Sequence, residues 1–216
     1  MDDKQLAAAE NLSADVFHQI LDLAITGKGA LPGARATAKA QLGKHGDAEA
    51  AIRAIVNQHL ALAGGQGFAT NWGGFLMSLV TIPANIGAHA FVQARMVAAI
   101  AHLRGYELDD PRVRTAVLMC MLGPSAGAAL VSKGVLPSSP LVVATAPVFD
   151  SHLDGTVAKV LLERAMSAIS GKRLGLMLAK GVPFVGGGVG AAVDAWSTRT
   201  IARHSLDALP SRRPKK

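Results

Sequence analysis

Between Ala61 and Ala94 the chain contains no Asp, Glu, Lys or Arg. A stretch of that kind has no charged face of its own, so other parts of the protein, or lipid, must cover it. Cysteine is nearly absent as well. Cys120 stands alone inside an apolar run, so no disulfide framework exists, which fits a reducing compartment. Aromatic residues make up 4% of the chain, too few for the stacking platforms that bind single-stranded nucleic acid. No helix-turn-helix pattern supports duplex binding, so nucleic acid is not an expected partner. There is no Gly-Lys-Ser/Thr, which removes the nucleotide-binding loop of that type. His18, His45, His59, His89, His102, His152 and His204 include no pair within five positions, so no helical metal clip is present and no cofactor is expected. Period-2 alternation of useful length is missing, which argues against sheet. The beginning of the chain shows neither a basic-then-apolar signal nor a lipidation motif.

What remains is apolar bulk. The 216 residues are 50% hydrophobic and 17% charged, which excludes disorder and leaves two settings, an all-buried helical core or contact with lipid. The net charge of +7 is unevenly placed. Arg199, Arg203, Arg212, Arg213, Lys215 and Lys216 face only Asp207 in the last stretch, leaving 16 bases against 14 acids in residues 1–198. A second acid-free patch carries Lys28, Arg35, Lys39 and Lys44. The division this predicts is a helical domain over 1–209 and a basic tail over 210–216. Such a tail suits an anionic membrane surface, at about 1 kcal/mol per Lys or Arg near it, or serves solubility.

The fold class expected is all-α: one multi-helix globular domain built around a buried apolar helix at 83–104. Pro83 suits a first helical turn and Gly105 the position past the end. Around it the periodicity predicts helices at 5–27, 34–42 (ending at Gly43), 47–63, 110–122, 155–170, 173–180 and 183–209, with short apolar pieces at 125–133 and 139–150. Ile82-Pro83 with Gly87 recurs as Val182-Pro183 with Gly187. That echo reads as a pseudo-symmetric pair of helix hairpins, or as similar packing needs met twice. Residues 72–94 are long enough to span a bilayer, but Asn71, Asn85, His89, Gln93, Pro83 and several glycines favour a buried hairpin instead.

The polar residues of the central helix are not scattered. Asn85, His89 and Gln93 fall on one face, which continues as Met96 and Ile100, so the stripe looks inward. Buried amides and imidazoles need partners, because an unmade hydrogen bond costs about 1–3 kcal/mol. Either they bond helix to helix inside a core, or they anchor the polar end of a ligand in an apolar cavity. On the last helix Asp194 shares a face with Gly187, Gly190, Thr198 and Ile201, opposite Trp196, Arg199, Arg203 and Asp207. It reads as a groove-lining acid needing a donor such as His89, Gln93 or Arg95, or as an exposed acid beside a shallow dip. The candidate ligand-binding set is therefore Asn85, His89, Gln93, Arg95 and Asp194, with no catalytic residues and no metal ligands.

Two catalytic patterns are matched only in letters. Gly123-Pro124-Ser125-Ala126-Gly127 has the spacing of a nucleophile elbow, which needs a strand before it, whereas a helix is expected there. Gly186, Gly188 and Ala191 match a dinucleotide fingerprint, but only 25 residues follow, too few for the rest of a βαβ-based domain.

Several short segments, taken in order, carry a resemblance. They are Gly29-Ala30-Leu31-Pro32-Gly33, Ala63-Gly64-Gly65-Gln66-Gly67-Phe68, Thr81-Ile82-Pro83-Ala84, Gln93-Ala94-Arg95-Met96, Gly105-Tyr106-Glu107-Leu108-Asp109 and Val182-Pro183-Phe184-Val185-Gly186. Over roughly residues 15–208 the chain resembles the bacterial EcsC family. The resemblance implies a mostly helical, cytoplasmic or membrane-associated protein with no established catalytic residues. Where that family leads us to expect Asn in the last helix, this chain has Asp194. The expected function is non-enzymatic binding of a lipid or fatty acid, with peripheral association at the inner face of the cell membrane. The alternative is an accessory protein of a membrane transporter, and a serine hydrolase comes third.

Overall fold

The computed structural model describes residues 16–28, 31–64, 84–136, 139–178 and 185–213, with the side chains of 28, 84–86, 166 and 168–191 outside the description. Nine helices are described: α1 (Val16–Thr26), α2 (Ala34–His45), α3 (Ala48–Gly64), α4 (Ala84–Leu103), α5 (Pro111–Leu122), α6 (Pro124–Ser132), α7 (Pro140–Ala144), α8 (Ser151–Leu178) and α9 (Val185–Ala208). The only strands among the described residues are β1 (Gly27–Lys28) and β2 (Leu31–Pro32), an antiparallel pair with Gly27 opposite Pro32. The fold is all-α.

Helix α4 is the centre of the molecule. It packs against α2, α3, α5 and α9, and from Phe91 to Ala101 no residue is more than 6% exposed. Its extent differs from the expected 83–104 by one residue at each end. Around it, Ile20, Leu21 and Ile25 of α1, Ile52 and Ile55 of α3, and the whole run Val117–Leu122 of α5 complete one continuous core. Burial of each such side chain contributes about 1.5–3 kcal/mol. Among the described residues no single helix is long and apolar enough to cross a membrane; α5 and α6 together are, but they bend by 107° at Gly123. Most of the 72–94 stretch considered as a span lies outside the described residues, as does the start of the helix expected at 5–27. The echo of Ile82-Pro83 and Val182-Pro183 falls there too.

Two expected breaks are absent. Gly43 lies inside α2, which continues to His45 and ends at Gly46, a left-handed residue (φ +69°) whose N–H donates to Leu42 O at 2.8 Å. Asp47 then caps α3, its Oδ2 accepting from Ala50 N at 2.8 Å. Likewise Gly171-Lys172 does not divide the helices expected at 155–170 and 173–180, and α8 runs through as one helix of 28 residues. A glycine inside a helix costs only about 1 kcal/mol relative to alanine, which neighbouring turns offset. Asp110 and Pro111 do what their chemistry predicts: the carboxylate accepts from Arg112 N at the first turn of α5.

The turn between α1 and α2 is the tightest backbone approach. Gly27 sits at φ +75°, and a Cβ placed on Gly33 would stand 2.3 Å from Ile25 O and 2.5 Å from Thr26 C. Both obstacles are main chain and cannot rotate away. Gly33→Ala should therefore destabilise the protein by about 2 kcal/mol or more, read as a lower urea midpoint with unchanged slope. A midpoint equal to wild type would mean that the turn opens freely.

Candidate functional site

The structure sends Gln93 and Arg95, two of the five candidate residues, to different sides of α4. Gln93 is buried, and its Nε2 lies 2.7 Å from His89 Nε2 and 3.4 Å from Ser197 Oγ on α9. Farther along, Arg104 Nη1 donates to Leu206 O and Leu209 O. Both partner numbers rise together, so α4 and α9 run parallel, and Asp194 lies one turn before Ser197, level with the His89 turn. Asp194 is half-buried, while Thr198 and Ile201 on its face are buried and Trp196, Arg199, Arg203 and Asp207 are exposed. The polar stripe thus faces α9. Asn85 lies on α4, with its side chain outside the described residues.

Arg95 belongs elsewhere. Two residues after Gln93, it points about 200° away around the helix, towards α3 and the 27–32 turn. Its Nε donates to His59 Nε2 at 3.0 Å and its Nη1 to Pro32 O at 3.2 Å. The Phe91 ring centroid is 5.4 Å from its guanidinium carbon. Since His59 Nε2 accepts, the ring proton sits on Nδ1, which donates to Ile55 O at 2.7 Å. Arg95 is 3% exposed and His59 0%, and no carboxylate pairs with Arg95 among the described residues. Burial pushes Arg95 down to about 10. Burial, and then the adjacent guanidinium, push His59 down to about 4 against a raising effect of Ile55 O, so the imidazole is neutral at pH 7. His59 was visible only as one histidine among seven. The available signal was its place on the stripe Ile52–Ile55–His59 of α3, where an apolar residue belongs.

An acid–histidine contact joins α1 to α8. His18 Nε2 lies 2.7 Å from Asp154 Oδ2, and Thr115 Oγ1 donates to Asp154 Oδ1 at 2.6 Å. Asp154 is held below the usual carboxylate range: burial acts to raise it, and the His18 and Thr115 hydrogen bonds and the Arg114 field outweigh that. The carboxylate sits between the hydroxyl and the imidazole. A nucleophile needs the imidazole in the middle, so this order does not activate Thr115. Ser125 is exposed on α6, after a helix rather than a strand. Cys120 is fully buried, and burial pushes its thiol up to about 12 against the lowering effect of the Ser205 hydrogen bond. No group of three or more His, Cys, Asp or Glu able to hold a metal occurs among the described residues.

The outer surface shows something the sequence reading passed over. From Thr115 to Phe149 there is one charged residue, Lys133. Where this stretch leaves the core it exposes Val131, Val135, Val142, Val148 and Phe149, with Val148 at 74%. The loop carrying Val148 is held by Arg112, whose Nη1 donates to Ala146 O. The signal was the scarcity of charge itself, masked because α5 in the same stretch is fully buried.

No family model matches this chain, and neither a curated protein nor a solved structure shows significant similarity to it.

Proposed function

We propose that this is a non-enzymatic protein that docks peripherally on membranes, at the inner face of the cell membrane. The observation that carries the reading is the charge-poor segment 131–149, whose one charged residue is Lys133 and whose described residues expose Val131, Val135, Val142, Val148 and Phe149. Water disfavours such a patch, and insertion into the headgroup boundary relieves it. The resemblance to the EcsC family supports the same setting, on the residues that suggested it and no others. If an acyl chain is carried inside the protein, Arg95 is the group we assign to its carboxylate, because it is buried with no acid beside it among the described residues.

A second reading has its own support. From Phe91 to Ala101 α4 is buried by its neighbours, and the exposed apolar residues of 131–149 are left for a partner to cover. That favours docking on a membrane protein, such as a transporter, over lipid storage. One experiment addresses both. The double variant Val148→Asp, Phe149→Asp should keep its helical circular dichroism and lose about tenfold or more in binding to phosphatidylcholine vesicles. Wild-type binding to native membranes but not to protein-free vesicles would select the protein partner. Equal vesicle binding by both proteins would remove the patch as the docking surface.

A further inference from the structure

The segment after α9 does not leave the molecule. Tyr106 Oη donates to Pro210 O at 3.0 Å, Arg212 N donates to Arg104 O at 2.8 Å, and Arg213 Nη2 donates to His102 O at 3.2 Å. Arg212 also lies over the Tyr106 ring, 5.4 Å from its centroid. Residues 210–213 are thereby strapped across the C-terminal end of α4. The strap completes a groove of about 340 Å³ whose walls include Arg35, Lys39 and Leu42 of α2, His102 and Leu103 of α4, and Arg213.

We infer that this groove is a receptor for a phosphomonoester, its phosphate held by Lys39, Arg213, Arg35 and His102. The charge balance selects the ligand. Arg35 is paired with Asp109 at 2.7 Å, an acid that is itself 84% exposed. Lys39 and Arg213 have no carboxylate partner among the described residues, so two positive charges converge uncompensated, matching one phosphate dianion. Glu107 is the other acid whose field reaches the groove, acting on His102 against Arg213 and Arg35. The end of α4 would ordinarily repel an anion, because the last carbonyls of a helix carry a partial negative charge. Here the strap donates to one of them, His102 O, and to Arg104 O just past the helix end, which offsets part of that charge. Leu42 and Leu103 give the groove an apolar wall that suits the carbon side of an ester better than free phosphate. Such a group is offered by a soluble sugar or glycerol phosphate, and equally by the headgroup of phosphatidic acid.

His102 reports occupancy directly. Burial holds its imidazole below the usual value, and the Arg213 and Arg35 fields add to that. A bound dianion reverses the local field, so the His102 titration followed by NMR on the full chain should move up by about one pH unit on saturation with glycerol phosphate. Lys39→Gln and Arg213→Gln should each weaken that response about tenfold. Lys39 is exposed and bears no structural contact, so its variant folds whatever the fate of the strap. A response to glycerol phosphate without a gain in vesicle binding from added phosphatidic acid assigns the groove to a soluble ester. Stronger binding to phosphatidylcholine vesicles containing phosphatidic acid, weakened by both substitutions, assigns it to the lipid headgroup. A His102 titration that neither probe moves, or that moves equally in both variants, overturns the site. The Val148→Asp, Phe149→Asp protein separates this result from apolar docking, since it keeps the groove and lacks the patch.

Discussion

Arg104→Ala should lower the stability of the protein by about 2–4 kcal/mol, because it strips two part-buried carbonyls of their donor and each unmade bond costs about 1–3 kcal/mol. The guanidinium is 12% exposed and does three things at once. Its Nη1 satisfies Leu206 O and Leu209 O, carbonyls in and just beyond the last turn of α9 that have no intrahelical partner of their own. Its Nη2 reaches Glu49 of α3 at 3.3 Å. Truncation leaves the carbonyls unpaired and frees the end of α9 from the end of α4. The Glu49 contact is the smallest part, because that carboxylate is half-exposed. Glu49→Gln should therefore cost less than about 1 kcal/mol. Urea unfolding of the two variants tests the ranking. An Arg104→Ala protein within about 1 kcal/mol of wild type would show that the carbonyls rehydrate at no cost.

Acid should remove about 3 kcal/mol through His59 alone. The imidazole is held near 4 in the folded protein against 6.5 normally. The depressed group is a base, so folding favours its neutral form. That stability is fully present above 6.5, falls as the pH drops because the unfolded chain binds the proton first, and is gone by about 4. His102 and His204 are also lowered by burial and act in the same direction. For a chain of this size the thermal midpoint should fall by roughly 10 °C between pH 7 and pH 4. Protonation of His59 would set two cations face to face where Arg95 now donates to a lone pair. His59→Gln retains an acceptor without a titrating group, so its midpoint should change much less over that window. Equal acid sensitivity in both proteins would move the effect to other groups.

The central helix was legible because its two ends carry opposite signals, Pro83 before and Gly105 after, with a mostly apolar run between. The inward direction of its polar stripe was legible as well, since a solvent face would not run on into Met96 and Ile100. Which partner each polar residue meets was not legible. Gln93 and Arg95 are two positions apart, and helical geometry sends them to different neighbours, but only the packed fold shows that these are Ser197 on one side and His59 on the other. The helix ends at Gly43 and Gly171 were misread for one common reason. A glycine ends a helix when the backbone turns left-handed, as at Gly46, and residue identity does not say which glycine will do so. The strap of 210–213 was hidden by its own composition, because Arg212 and Arg213 in sequence look like any solvated basic tail.

The parallel pairing of α4 with α9 also sets a clock. Helix α4 is complete at Leu103, yet the carbonyl that Arg104 grips belongs to Leu206, 102 residues later. At roughly 5–20 residues per second the ribosome takes roughly 5–20 s to supply it. Helices α2 and α3 come earlier and can cover one side of α4 within microseconds to milliseconds of emerging, but the side carrying Gln93 waits for α9. For that interval the nascent chain presents an uncharged helical face, and slowing translation between residues 104 and 206 lengthens its exposure to aggregation or to capture by a chaperone.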